Sequence, residues 1–305
     1  MKERNSFIAR SYFGSVFGLI ISYPLCGFII DSFGWEATFY TIGVITVLWS
    51  ISWYFLVFDT PDSHPRISDE EREYINTALG DTFTKTNERQ SVPWKDILTS
   101  VPFWGLVITD SGNCVGIMTL GSYGSLYLKK MLGVNIKTNG VLSGLPMLSR
   151  YVGGLFHGAV ADHLLRRGWR VITIRRVFNS ICMVGPAIFM FILAFPPPGS
   201  QCSVGMTISL LSVGMFFNGA LSSGHFSSPS DLSPNYAGTM FGISNTLSGG
   251  VTAYSTAAIV GAYTSDNFTF SAWSVVFATA SCIYIITNTF YCFMISGDIQ
   301  SWNKK

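Results

Sequence analysis

The feature that most constrains this sequence is a run of 127 residues, from Val177 to Asn303, that contains no lysine or arginine. The acidic residues in this run are Asp231, Asp266 and Asp298. A soluble domain needs charged side chains over its surface, whereas a charge inside a bilayer costs about 2.5–3.5 kcal/mol on insertion scales. Charged residues make up 12% of the whole chain, against about 25% in soluble proteins. The sequence therefore predicts an all-α protein that crosses a membrane several times, with the lipid bilayer as its solvent.

A helix that spans a bilayer needs about 20 mostly apolar residues. Eight segments have that length and character: 11–30, 37–58, 102–124, 140–160, 177–195, 203–225, 237–262 and 271–294. A tight turn containing Gly34 separates the first two. Between the second and third, Ser68 and Glu71 have the spacing of a helix capping box, which predicts a short amphipathic helix to about Leu79. We therefore expect four parts: two spans in 1–58, a cytosolic linker 59–100, a six-helix bundle 101–296 and a tail 297–305.

Lysine and arginine are unevenly distributed between the two sides of this arrangement. With the N-terminus in the cytosol, 15 of the 19 lie inside and three, Lys129, Lys130 and Lys137, lie outside. This bias follows the positive-inside rule and predicts that both termini are cytosolic. The same orientation places the sequon at Asn267 outside, so we expect a glycosylation site there. The basic residues cluster at helix ends and not on one face, which gives no reason to expect a nucleic-acid partner.

Ionisable residues inside the predicted spans are candidates for function, because such residues are rare and usually face a cavity or a partner. Arg150 is a candidate anion contact, and a structural ion pair, for example with Asp110, is the equally weighted alternative. Asp110 and His225 are candidates for binding a coupling ion, since a carboxylate takes a cation or proton and histidine titrates near neutral pH. A structural or solvated role is the commoner outcome for both.

The seventh span opens with small polar residues at 242–250, which include Ser244 and Asn245. Such side chains can line a polar path, although packing by small residues with interhelical hydrogen bonds is the more frequent explanation. We include Ser244 and Asn245, together with Asn113 of the third span, among the candidate substrate contacts.

The fourth span ends on a motif in which Gly158, Asp162, Arg166 and Arg167 follow one another at helical spacing. An acid at a helix end can meet a neighbouring helix N-terminus or an arginine, forming a lock that breaks when two halves move. We interpret the motif as a candidate gate. A basic loop that only sets the topology is an equally weighted alternative.

Taken together, several motifs resemble the anion–cation symporter family of the major facilitator superfamily, which comprises sialin-like, vesicular glutamate and sodium–phosphate transporters. The matching segments run in family order: 3–6 (ERNS), 34–40 (GWEATFY), 59–61 (DTP), 67–75 (ISDEEREYI), 93–100 (PWKDILTS), 127–133 (YLKKMLG), 139–146 (NGVLSGLP), 231–239 (DLSPNYAGT), 242–245 (GISN) and 297–302 (GDIQSW). The resemblance implies an alternating-access symporter of small organic anions or inorganic phosphate, driven by a proton or sodium gradient. It also implies a plasma, lysosomal or vesicular membrane.

Members of that family have twelve spans in two six-helix bundles, and the eight spans here are similar to the fifth to the twelfth. The resemblance thus implies a truncated chain without the first four spans. Pro229 stands where the family has a histidine two residues before Asp231, although His225 lies one turn earlier. Asn113 stands where the glutamate transporters have an arginine, and Arg150 is the candidate replacement as anion contact. Asp231 joins Asp110 and His225 as a coupling-ion candidate.

Two alternatives to a transporter remain open. A non-transporting isoform that pairs with or regulates a full-length relative is one, because two spans cannot complete the second wall of a central cavity. An eight-span receptor or lipid-modifying enzyme is the other. The sequence has no Ser-His-Asp set, no HExxH, no phosphate-binding glycine loop and no paired carboxylates, so we expect no enzyme activity, no cofactor and no metal.

Overall fold

In the computed structural model, which describes residues 4–58, 61–79, 92–196, 203–264 and 268–304, every regular element is a helix. The helices are α1 Arg4–Phe33, α2 Trp35–Leu56, α3 Asp69–Leu79, α4 Trp94–Leu98, α5 Val101–Met118, α6 Gly124–Leu132, α7 Ile136–Arg166, α8 Val171–Ala194, α9 Val204–Asn218, α10 Ser228–Leu232, α11 Ala237–Thr264 and α12 Phe270–Met294. A π-helical turn, Thr119–Tyr123, joins α5 to α6. The predicted all-α fold class is confirmed.

Five helical segments among the described residues are long and apolar enough to cross a membrane: Gly14–Phe33, Trp35–Leu56, Val171–Ala194, Val204–Leu232 and Phe270–Met294. The other three predicted spans correspond to α5, α7 and α11, which are 18, 31 and 28 residues long. Their hydropathy is lower because they carry Asp110, Arg150 and a series of hydroxyl side chains. Helical structure therefore occupies all eight predicted positions, and the three less apolar helices carry most of the candidate site residues.

The sixth predicted span, 203–225, is not one continuous α-helix. α9 ends at Asn218, and two 3-10 turns, Gly219–Ser222 and His225–Ser227, lead to α10. A Cβ on Gly219 would overlap the backbone of Gly154 in α7, so glycine is required where α7 and α9 cross. This close crossing places the end of α9 beside Arg150.

One compact unit comprises the residues up to Asp31 and those from Pro93 onward. Within it, α1 packs on α7 through small residues: a Cβ on Gly140 would lie 2.7 Å from the carbonyl oxygen of Tyr23 and 3.1 Å from the Cα of Gly27. The buried core of the unit includes an aromatic contact between α6 and α12, in which the ring of Tyr127 is 5.2 Å from that of Trp273. Helix packing through small residues is the usual arrangement in membranes.

The second compact unit, Ser32–Val92, contains α2 and α3. The predicted turn is present, with Gly34 at a φ of 86° immediately before α2, a conformation that favours glycine. α2 has no buried residue. The predicted short helix is confirmed as α3, and the Ser68 hydroxyl accepts the backbone N–H of Glu71 at 3.2 Å. The four-part division of the chain stays a prediction.

The tail after α12 packs against the connection between α10 and α11. The side-chain oxygen of Asn303 accepts hydrogen bonds from the Ser233 hydroxyl at 2.7 Å and from the backbone N–H of Asn235 at 3.1 Å. The side chain of Trp302 is buried, with its ring 6.2 Å from that of Tyr236. The last described turn is thus anchored by side chains as well as by its backbone.

Candidate functional site

Two groups of largely buried polar side chains lie among α5 and α7–α12. We call the first the Arg150 cluster; its members are Arg150, Asn113, Asn218, Cys182 and Tyr284. We call the second the Asp110 cluster; its members are Asp110, His225, Ser244, Ser248, Asn179, Asn288 and Thr109. Polar groups in an apolar interior are stable only when they are hydrogen-bonded, and the bonds within each group explain its arrangement.

In the Arg150 cluster, a side-chain amide connects α7 to α5. The side chain of Arg150 is 3% exposed, and its Nε donates to the Oδ1 of Asn218 at 2.8 Å. The Nδ2 of Asn218 donates to the Oδ1 of Asn113 at 2.9 Å and lies 3.5 Å from the hydroxyl of Tyr284. Two residues predicted as substrate contacts, Arg150 and Asn113, are therefore brought together through Asn218, which the sequence-based prediction did not include.

In the Asp110 cluster, a carboxylate of α5 is held by α11. One oxygen, Oδ2, accepts hydrogen bonds from the Ser248 hydroxyl at 2.7 Å and the Ser244 hydroxyl at 3.4 Å. The other, Oδ1, lies 3.8 Å from the Nε2 of His225. Among the described residues Asp110 forms no ion pair with Arg150 within 4 Å, so the expected alternative, a direct Arg150–Asp110 pair, is not the arrangement seen.

The amide orientations in the hydrogen-bond network favour one tautomer of His225. The Nδ2 of Asn179 donates to the Oδ1 of Asn288 at 2.9 Å, so the Oδ1 of Asn179 is the atom that faces the Nδ1 of His225, at 2.7 Å. With the Asn179 amide in this orientation, Nδ1 of His225 carries the proton of that contact. In the neutral ring, Nε2 then carries a lone pair toward Asp110, and it has no hydrogen-bond partner among the described residues.

A small cavity borders this pair of acceptors. Its volume is about 10 Å³, and Asp110, His225 and Ser244 contribute to its wall with apolar groups such as Phe226 and Phe241. A cavity of this size holds about one water molecule. Two acceptor atoms that face each other across 3.8 Å repel unless a proton, a cation or a water lies between them. The arrangement is therefore suited chemically to taking up a proton.

Asp231, the third coupling-ion candidate, lies in a different place. Its Oδ2 is 2.6 Å from the Nε of Arg175, with both side chains at most 10% exposed. The Nη1 of Arg175 also donates to the carbonyl oxygen of Ser223 at 2.8 Å. The ion pair joins the N-terminal part of α8 to α10. Sequence reasoning missed Arg175, although a lone buried acid in a stretch without basic residues needs such a partner.

The remaining predicted site residues divide into buried and exposed side chains. In the candidate gate, Gly158 and Asp162 are buried in α7, whereas Arg166 and Arg167 are exposed at its end. On α11, Ser244 faces Asp110, whereas the neighbouring Asn245 is exposed. The predicted glycosylation site, Asn267, lies outside the described residues.

The buried face of α11 could be read from the sequence, because it has a regular four-residue spacing. Its buried residues recur every fourth position and include Ser244, Ser248, Thr252 and Thr256. Side chains four residues apart lie on one face of a helix, so the hydroxyls form one line toward α5. The hydroxyl of Thr252 lies 3.5 Å from the carbonyl oxygen of Ser111 in that helix. The four-residue spacing alone therefore predicts that Ser244 lies on the buried face of α11 and that Asn245 does not.

Comparison with known proteins gives the chain its family. The family model for the Major Facilitator Superfamily matches residues 1–256. The chain is 34% identical over 302 residues to human sialin, 32% identical to a putative inorganic phosphate cotransporter of Drosophila melanogaster, and 31% identical to vesicular glutamate transporter 3 of Danio rerio. These alignments cover 98–99% of this chain and 59%, 57% and 50% of the relatives. The chain thus spans about three-fifths or less of their length.

The relatives are the groups that the sequence motifs indicated, so the resemblance stated above is confirmed. With apolar helices long enough to span a bilayer and a family match over most of its length, the chain belongs to the Major Facilitator Superfamily.

Proposed function

We propose that this protein contributes to alternating-access transport of a small organic anion or inorganic phosphate, and that Arg150 is the positive partner of the anion. The observation that carries the proposal is a buried arginine near the middle of α7 whose Nε is held by Asn218. The relatives include a putative inorganic phosphate cotransporter and a vesicular glutamate transporter, which supports the same class of substrate.

The chemistry of arginine favours this role. A guanidinium group remains charged in proteins and presents donors in a planar fork that fits carboxylate and phosphate groups. Arg175, which is also buried, has its charge balanced by Asp231. Asn113, in the Arg150 cluster, and Ser244, in the Asp110 cluster, supply further polar groups. Asn245 is the weakest of the four candidates because its side chain is exposed.

We propose further that Asp110 and His225 bind the coupling ion and that this ion is a proton. Hard metal cations prefer shells of oxygen ligands, whereas Asp110 faces an imidazole nitrogen at 3.8 Å. Other titratable or charged groups near the pair include Arg150, Cys114 of α5 and Tyr291, whose ring is 6.4 Å from that of His225. In this scheme Asp231 anchors Arg175 and takes no part in coupling.

The orientation and the gate are proposals of the same kind. The distribution of lysine and arginine favours cytosolic termini, and it places the end of α7 at the cytosolic surface of a plasma, lysosomal or vesicular membrane. We propose that Asp162, buried at that end, belongs to a contact that opens and closes during the cycle, with Gly158 allowing close packing. Arg166 and Arg167, which are exposed, would then engage only in another state of the cycle.

The test is anion uptake into proteoliposomes that contain the 305-residue chain. Glutamate, inorganic phosphate and a sugar carboxylate serve as probes, with an inward proton gradient, a sodium gradient or neither. We expect one probe to accumulate with the proton gradient, Arg150→Ala to abolish its uptake, and Arg150→Lys to retain part of it. Equal reconstitution of all variants is the control.

Absence of uptake for every probe would reject transport by this chain. The alternative is then pairing with, or regulation of, a longer relative. Co-reconstitution with full-length sialin tests that alternative through a change in sialin's own uptake rate.

A further inference from the structure

A cavity of about 750 Å³ lies between the start of α8 and the segment that follows α12. Arg170, Arg176 and Ile172 line one side, and Ser296, Gly297 and Asp298 line the other. Cavities of 300–1,000 Å³ are typical of small-molecule sites. This cavity is separate from both polar clusters described above, and its lining includes none of the residues proposed to bind the anion or the proton.

The charges on its wall do not cancel. Arg170 and Arg176 are both exposed, and among the described residues neither forms an ion pair within 4 Å. Arg175, between them in sequence, differs because it is buried against Asp231. Asp298 is the one acid in the lining and is also exposed. Two arginines against one carboxylate leave the cavity positive.

The opposite wall is held close to α8 by a glycine. A Cβ on Gly297 would lie 2.7 Å from the Cβ of Ile172, so only glycine lets the segment pass this close to the helix. The hydroxyl of Ser296 accepts the backbone N–H of Asp298 at 3.2 Å, which keeps its own proton available for donation. The wall is therefore a defined surface that adds a hydroxyl donor to the two guanidinium groups.

From these features we infer that the cavity binds the phosphate group of an anionic ligand, with the headgroup of an acidic phospholipid as the first candidate. Arginine forks match phosphate oxygens in pairs. The inference rests on the proposed orientation, which puts this end of the bundle at the cytosolic surface, where acidic lipids are concentrated. A soluble phosphate compound has the same chemistry, and the experiment separates the two sources.

The experiment measures binding of fluorescent phosphatidylinositol 4-phosphate to the full chain in phosphatidylcholine nanodiscs. Arg170→Gln/Arg176→Gln should weaken binding about 10-fold or more. The matched control, Arg166→Gln/Arg167→Gln, removes the same charge from exposed positions that do not line the cavity and should weaken binding much less. Thermal unfolding confirms that both double variants are folded. A Gly297→Ala variant, which pushes the wall away from Ile172, should weaken binding without any change of charge.

Competition with inorganic phosphate and with a soluble inositol phosphate identifies the source. Displacement of the lipid at micromolar competitor supports the phosphate site and assigns it to a soluble ligand, whereas resistance to both supports the lipid headgroup. Equal losses in the two double variants, or no preference over phosphatidylcholine, would overturn the inference. Because the assay involves no transport, Arg150→Ala should bind the lipid normally, so failure of the transport proposal is recognised separately.

Discussion

The Nε of Arg150 donates a hydrogen bond to the Oδ1 of Asn218 across 2.8 Å, from the middle of α7 to the last residue of α9. Since the same amide donates from its nitrogen to Asn113, its orientation is set from both sides. Asn218 therefore positions the guanidinium group without supplying charge. Its replacement tests the proposed role of Arg150 more selectively than removal of the arginine.

Replacing Asn218 with aspartate places a carboxylate of the same shape beside Arg150. We expect the new pair to satisfy the arginine internally and to lower anion affinity by about 100-fold, the scale of a hydrogen-bonded buried charge pair. Equilibrium binding of the transported anion measures the effect, and thermal unfolding should show a stable protein. If affinity were unchanged, Arg150 would not be the anion partner.

Replacing Asp110 with asparagine removes the carboxylate charge but keeps acceptors for Ser248 and Ser244. We expect proton-driven accumulation to fall about 10-fold or more, because the neutral amide cannot take up a proton. Exchange of labelled for unlabelled anion at equal concentrations needs no coupling and should stay within about 2-fold. Loss of exchange together with accumulation would assign Asp110 to structure or to substrate binding instead.

Breaking the buried ion pair between Arg175 and Asp231 should destabilise the bundle. Asp231→Asn leaves an uncompensated arginine, which costs about 3–5 kcal/mol in buried sites, so the unfolding temperature should fall clearly. The double variant Arg175→Met/Asp231→Leu should recover most of the loss, since it removes both charges. An undiminished proton-driven accumulation in the double variant would support the anchoring role, and selective loss of coupling would contradict it.

The crossing of α7 and α9 provides a prediction based on shape. A Cβ on Gly153 of α7 would overlap the backbone of Phe216 in α9, whereas one on Gly205, near the start of α9, would meet no atom within 4 Å. Gly153→Ala should therefore destabilise the protein by about 1–3 kcal/mol through overpacking. Gly205→Ala should be neutral or slightly stabilising, by up to about 1 kcal/mol. The unfolding temperatures of the two variants, measured in the same detergent, test this difference. Equal stabilities would show that α7 and α9 can move apart.

The helices were predictable because hydropathy depends on sequence alone. The capping box at Ser68 and the turn at Gly34 were predictable because each depends only on residues that are adjacent in sequence. The end of α9 at Asn218 was not, because the break follows from the approach of Gly219 to Gly154 in another helix.

The site was predictable as a set of unusual residues but not as a geometry. Arg150, Asp110 and His225 stand out because charge in an apolar span needs a reason. Their partners are distant in sequence: Asn218 is 68 residues from Arg150, and Ser248 is 138 residues from Asp110. A single sequence does not show which buried asparagine forms a hydrogen bond with which charged side chain. Asn218 and Asn179 could be suspected only because an asparagine in an apolar helix requires a partner.

The anchored tail has a practical consequence for measurement. Because Asn303 is bonded to Ser233 and Asn235, a fluorophore attached at the exposed Ser301 in the same turn would keep these bonds and report the local motion of the α10–α11 connection. A purification tag fused without a spacer would compete with these bonds and disturb the same corner. Movement of the α10–α11 connection is thus coupled to the segment that follows α12.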